Sequence, residues 1–181
     1  MMKKYLYYSL FICLASCSPQ KKEVQETVQT EEISNEVRTL PEYAYTDSLM
    51  QGSHKVVYAI SSGADDELPL VVDEDGVKYK DNRYQLTITK DDKALFSRSF
   101  TKADFKSQLP GDFQKYGIMD GLRFNRTEEG KLIFNTCVSY PESDMSCPFF
   151  LTIGPDGSYT LTLGTTIDED NLPPTPEQIP E

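Results

Sequence analysis

From residue 53 to residue 163 apolar side chains recur on every second position, and short polar turns cut the runs apart. Tyr84-Gln85-Leu86-Thr87-Ile88-Thr89 alternates without a break, which places Tyr84, Leu86 and Ile88 on one face of a strand. A helix would scatter the same three residues around its circumference. Leu132, Phe134, Thr136, Val138 and Tyr140 repeat the pattern, as do Phe149, Leu151 and Ile153, and then Tyr159, Leu161 and Leu163. Gly154-Pro155-Asp156-Gly157, between the last two runs, fits a type I turn closed by a left-handed glycine. Glu128-Glu129-Gly130 and Asp91-Asp92 are further turn candidates, and Asp81-Asn82 reads the same way. A strand starting at His54 and an apolar run from Leu68 to Val72, with Pro69 marking an edge, complete the set.

One segment breaks the grammar. Thr101 is placed to cap a helix start, with Asp104 three residues on able to reach back to its amide. Phe100 and Phe105 fall at the two positions of a hydrophobic staple. A short helix is predicted over residues 102–108, stopping before Pro110-Gly111. Another turn over residues 112–116 would close on a left-handed Gly117. On a capped helix, Thr101→Ala should cost about 0.5–2 kcal/mol. The sum is an all-β fold: a single antiparallel β-sandwich or barrel-like domain over residues 53–167 with a short helical insertion.

The amino-terminal residues carry an address. Lys3-Lys4, a short apolar run and Leu14-Ala15-Ser16-Cys17 resemble the signal and lipobox of bacterial lipoproteins. The apolar run is about a dozen residues, too short to span a bilayer as a helix. The resemblance implies cleavage between Ser16 and Cys17, then acylation of Cys17 by chains such as palmitate. Two or more such chains hold a protein firmly on a membrane. Residues 1–16 are thus expected to be a signal peptide and residues 17–52 an acylated cysteine and flexible tether. Residues 168–181 are expected to form an acidic, proline-rich disordered tail. Asp47-Ser48-Leu49 resembles the pattern that Bacteroidetes O-glycosylate in exported proteins, making Ser48 the candidate acceptor.

Charge removes whole classes of partner. The chain has 29 acidic and 18 basic residues, a formal net charge of -11; losing Lys3 and Lys4 with the signal makes it -13. Such a surface repels phosphate backbones, which argues against nucleic acid. The expected partners are the membrane, through the lipid anchor, and an envelope protein or small ligand.

The stretches Leu68-Pro69, Asp73-Glu74-Asp75-Gly76 and Tyr79-Lys80-Asp81-Asn82 carry a second resemblance, with Ser99-Phe100-Thr101-Lys102 and Gly121-Leu122-Arg123-Phe124. Together they are similar to an uncharacterised Bacteroidetes lipoprotein family, a domain of unknown function, over most of residues 53–163. The likeness implies an exported lipoprotein of the cell envelope, on the outer membrane, and brings no activity with it.

Catalytic chemistry finds little to stand on. His54 is the one histidine and there is no tryptophan. No second imidazole is present for a zinc site, and no motif sets a serine or aspartate up as a nucleophile. The clusters Asp65-Asp66-Glu67, Asp73-Glu74-Asp75 and Asp168-Glu169-Asp170 lack the spacing of a calcium loop. Neither a metal nor a cofactor is implied, and the chain reads as a non-enzyme. Tyr43, Tyr45, Tyr79 and Tyr116 are candidates for exposed contact residues.

Cys137 and Cys147 are the thiols of the domain. The simplest hairpin pairs Val138 with Phe149 and Tyr140 with Cys147. That register leaves the cysteines on opposite faces as two free thiols, beyond the reach of about 7 Å that a disulfide needs. A bulge near Pro141 or Pro148 would reverse one face and bring the two into a Cys137–Cys147 bridge. The leading functional expectation is a lipid-anchored binding or interaction module without catalysis. The alternatives are a structural or assembly factor of an envelope complex, then an unrecognised hydrolase. A concave apolar pocket would favour the first.

Overall fold

Two four-stranded antiparallel sheets pack face to face. The structure is a computed structural model and describes residues 36–164. Its elements are β1 (Val37–Arg38), β2 (Tyr43–Gln51), β3 (His54–Ala64), β4 (Val71–Val72), β5 (Lys78–Tyr79), β6 (Asn82–Lys90) and β7 (Lys93–Phe100). A 3-10 helix (Lys102–Phe105) and α1 (Gly111–Tyr116) follow, then β8 (Ile118–Glu128), β9 (Lys131–Ser139), β10 (Ser146–Ile153) and β11 (Tyr159–Leu163). One sheet runs β2-β3-β6-β7 and the other β11-β10-β9-β8. A small sheet, β1-β5-β4, is built from β4 and β5, inserted between β3 and β6, and from β1, which precedes β2 and runs parallel to β5. No ladder joins the two large sheets, so the fold is a sandwich and not a closed barrel.

The turns explain the connectivity. Asp91 and Asp92 both take positive φ (49° and 61°), as do Glu129 and Gly130 (49° and 77°). Two consecutive left-handed residues make the tight turn whose twist matches antiparallel strands. Gly157 closes the last hairpin at φ 81°, its N–H donating to Gly154 O at 3.0 Å. An added Cβ at Gly157 would lie 2.5 Å from Leu95 O, so β7 meets that turn only because the side chain is missing.

The core lies between the sheets. Val56, Tyr58 and Ile60 of β3 and Tyr84, Leu86 and Ile88 of β6 face Leu132, Phe134 and Val138 of β9 and Phe149, Leu151 and Ile153 of β10. Tyr58 bridges the layers, its ring centroid 5.1 Å from Phe124 and 5.7 Å from Phe134. At one rim Tyr43 OH donates to Leu122 O (2.8 Å) and Gln51 Nε2 to Gly130 O (3.0 Å). At the other, Tyr159 packs edge-on against Phe96 and Phe100.

Several expectations need correction. The tether does not run to residue 52, because residues 43–51 form the edge strand β2, paired along β3 through the two-residue turn Gly52-Ser53. Tyr43, Tyr45 and Leu49 pack against the core, on alternate positions that the looser spacing of the neighbouring valines obscures. The apolar run from Leu68 yields only the two-residue β4. Asp81 and Asn82 are no solvated turn; both are buried. Gly117 is extended (φ -81°) and its role is spatial: a Cβ there would lie 2.7 Å from both Phe113 O and Val138 Cγ1.

The predicted helix shortens to one 3-10 turn, but its capping box forms. Asp104 Oδ2 accepts the Thr101 N–H at 2.9 Å, while the Thr101 hydroxyl lies 3.5 Å from the same oxygen. Asp104 also pairs with Arg98 at 2.8 Å. The carboxylate is therefore the stronger arm. Asp104→Ala is expected to cost about 1–1.5 kcal/mol and Thr101→Ala only about 0.5 kcal/mol. Urea unfolding checks the order, and a larger loss for Thr101→Ala would refute it.

The β9–β10 hairpin is shifted by two residues from the simplest register. Cys147 pairs with Val138 and Pro148 with Cys137. The cause is local: Glu142 takes a positive φ (54°), Tyr140 N–H reaches Met145 O (2.9 Å), and Met145 N–H donates to the Ser143 hydroxyl (3.1 Å). A shift of two preserves side-chain faces. Cys147 points into the sandwich, Cys137 to the far side of the sheet, and both are free thiols. Burial raises the Cys137 pKa to about 11 and that of Cys147 in the same direction. Thiol titration without reductant should find almost no reaction in the native domain and two reactive groups after unfolding. A monomer showing none would establish a bridge.

Candidate functional site

The insertion between β3 and β6 creates a cavity of about 430 Å³. β3 ends at Ala64, and the following loop is fixed by Asp65, whose N–H donates to Asp81 O (3.0 Å) and whose side chain pairs with Arg83 and accepts the Glu67 N–H. That loop delivers Leu68, Pro69, Leu70 and Val71 to one wall. The opposite wall is the segment between β7 and β8: Thr101, Lys102, Ala103, Lys106, Leu109, Gln114 and Lys115. Gln114 Nε2 donates to Leu109 O (2.8 Å) and Lys106 O (3.2 Å), binding α1 to the preceding turn and holding this wall in shape.

Asp81 reaches the pocket from its base. One oxygen accepts the backbone N–H of Asn82 and of Met119, each at 2.8 Å. Asn82 Nδ2 in turn donates to Met119 O at 2.9 Å. β8 is an edge strand, so these two side chains satisfy at Met119 the backbone groups that a neighbouring strand would otherwise pair. The second carboxylate oxygen faces Lys102 Nζ at 3.8 Å, and that amine donates to Gly117 O at 2.6 Å. Burial raises the Asp81 pKa against the opposing pull of the two N–H groups and of Lys102. Burial likewise lowers the Lys102 pKa, with Asp81 opposing.

The other two amines behave differently. Lys106 is exposed and has no side-chain partner among the described residues. Lys115 Nζ donates to Tyr116 OH (2.6 Å) and lies 4.3 Å from that ring's centroid. The cavity thus combines an apolar lining, a buried ion pair and two amines at its mouth. Its volume falls in the range of about 300–1,000 Å³ typical of small-molecule sites. Two more open hollows are present, one of about 460 Å³ over β2, β3 and β6 with a mixed lining, and one of about 540 Å³ lined mainly by polar side chains that include the Asp65–Arg83 pair.

The family comparison bears on this same region. The family described as Domain of unknown function (DUF4738) matches residues 20–161. The chain belongs to that family. The DUF4738 match takes in both large sheets up to residue 161 within β11, the small sheet and every residue of the pocket. No curated protein matches the chain.

Within the DUF4738 domain the sequence-picked residues scatter. Ser16 and Cys17 lie outside the described residues, as does Asp168-Glu169-Asp170. Ser48 is exposed on β2, on the face opposite Tyr45 and Leu49. His54 pairs with Asp91 at 2.5 Å beside the β6–β7 turn, far from any nucleophile arrangement. Asp73 folds its own turn, accepting the N–H of Asp75 (3.0 Å) and Val77 (2.8 Å). Tyr79 is buried and no contact residue; Tyr116 packs against Tyr140. Among the described residues no group of three or more His, Cys, Asp or Glu is placed to hold a metal ion, and no helix is long and apolar enough to cross a membrane.

Sequence reasoning missed Lys102, Lys106 and Lys115. A signal existed: from residue 98 to residue 115 four basic residues stand against two acidic ones, in a chain whose overall balance is the reverse.

Proposed function

We propose that this chain is a lipid-anchored bacterial cell-envelope protein, of the outer-membrane type found in Bacteroidetes, whose β domain binds a small ligand and performs no chemistry of its own. The observation that carries the reading is the walled, largely apolar cavity between β4 and the 3-10 helix. It favours a binder over an assembly factor: the edge strands β2, β7, β8 and β11 belong to any open sandwich and single out no partner, whereas the cavity is a bounded site. The one acid on its wall, Asp81, is held by two backbone amides and Lys102, an arrangement suited to structure and not to proton transfer. Acylated Cys17 would hold the domain at the membrane, and exposed Ser48 would accept the O-linked glycan.

Two measurements test this. Fatty-acid labelling should be lost in Cys17→Ala, with release of the protein from the membrane fraction; labelling that persists would sink the anchor. For the pocket, the full chain carrying Cys17→Ala should bind the neutral apolar dye Nile red saturably, one dye per chain. Ala103→Trp, which fills an exposed position on the pocket wall, should abolish that binding without lowering the unfolding midpoint. Absence of saturable binding, or binding that survives Ala103→Trp, would overturn the ligand-binding reading.

A further inference from the structure

The pocket's mouth has the wrong charge for its surroundings. The chain carries a net -11, and among the described residues several of its other cations face carboxylates: Arg38 meets Glu142, Lys80 meets Asp66, Arg83 meets Asp65 and Glu67, and Arg98 meets Asp104. Lys102 is turned inward onto Gly117 O and Asp81, so its charge is already matched. Lys106 and Lys115 are different. Among the described residues Lys106 has no side-chain partner, and Lys115 leans on the neutral Tyr116. Asp112 and Glu74 lie close enough to act on Lys115 electrostatically without forming an ion pair with it. The same cavity is lined by Leu68, Val71 and Leu109, of which Val71 and Leu109 are buried while the two lysines are exposed. An amine pair above an apolar floor is the complement of a molecule with an anionic head and an apolar body.

We propose that the pocket takes a small amphipathic monoanion, its head at Lys106 and Lys115 and its apolar body against Leu68, Val71 and Leu109. This deepens the ligand-binding reading and rests on it. A neutral ligand would gain nothing from the two amines, and a wholly polar anion would leave the apolar floor unused. Because both amines are exposed, each contributes modestly and in a salt-dependent way.

The test displaces Nile red from the full chain carrying Cys17→Ala, using decanoate, decanol and acetate. Decanoate is expected to displace the dye at about five- to tenfold lower concentration than decanol, and acetate not to displace it. Lys106→Glu should erase the preference for decanoate over decanol, and Lys106→Glu with Lys115→Glu should reverse it. Raising the salt to 0.5 M should narrow the gap in the unsubstituted pocket. Equal displacement by decanoate and decanol, with the dye still bound, would overturn the anion proposal and leave the binding reading standing. Failure of the dye to bind would remove the binding reading itself. Stronger displacement by a peptide copying residues 168–181 would assign the pocket to the chain's own acidic end and overturn the small-molecule proposal.

Discussion

Asp81→Ala is expected to lower the unfolding free energy by about 3 kcal/mol, and the thermal midpoint by about 10 °C for a domain of this size. The substitution removes the acceptor of two backbone N–H groups, those of Asn82 and Met119, at a buried site. A buried donor left without a partner costs about 1–3 kcal/mol. Lys102 would also lose the one opposite charge that faces it among the described residues and keep the carbonyl of Gly117. Asp81→Asn retains an oxygen in place and should cost less than half as much. Calorimetry or urea unfolding of both variants checks this. A loss below about 1 kcal/mol for Asp81→Ala would mean that the clamp on β8 contributes little.

The same carboxylate predicts a pH dependence with a definite sign. Burial lifts its folded pKa above the ordinary value of 3.8. Between the unfolded and folded values the native state therefore binds more protons than the unfolded chain, and stability falls as pH rises through that window. Asp65, Asp91 and Asp156 have lowered values and act oppositely; Asp91 and Asp156 are exposed and screened, and Asp65 is half-buried beside Arg83. Comparing the wild type with Asp81→Asn isolates the buried group. The asparagine variant should gain on the wild type as pH rises from about 4 to 7. A gap that stays constant or widens in the wild type's favour would refute the assignment.

Local chemistry made much of the sandwich legible. Tyr84, Leu86 and Ile88 face inward as their alternation requires, and Phe149, Leu151 and Ile153 do the same. The turns at Asp91-Asp92, Glu129-Gly130 and Gly157 were readable because the left-handed conformation favours so few residue types. β2 was hidden because its pattern starts among polar residues and its pairing depends on β3. The buried state of Asp81-Asn82 was hidden for a related reason: the same dipeptide makes a good solvated turn, and only Met119, more than thirty residues on, draws it inward. The pocket is the extreme case. Its two walls come from residues 68–71 and 101–115, and nothing in either segment names the other. Only the local reversal of charge sign was present in the sequence to be noticed.

Phe134→Ala is expected to cost about 4 kcal/mol, the largest single loss in the core. Phe134 is fully buried at the middle of β9, between Tyr58 of the opposite sheet (5.7 Å) and Phe124 of the neighbouring strand (5.6 Å). Truncation removes the ring from both contacts and leaves a cavity that paired strands on either side, β8 and β10, cannot close. Phe134→Leu keeps most of the volume and should cost about 1–1.5 kcal/mol. The adjacent residue supplies the control. Ile133 is also buried but alternates to the other face of β9, outside the core cluster between the sheets, so Ile133→Ala should cost only about 1–2 kcal/mol. A cycle with Tyr58→Leu should then show a coupling of about 0.5–1.5 kcal/mol with Phe134 and none with Ile133. Equal losses at 133 and 134, or equal coupling to Tyr58, would mean that the aromatic contact between the sheets does not set the stability of the sandwich.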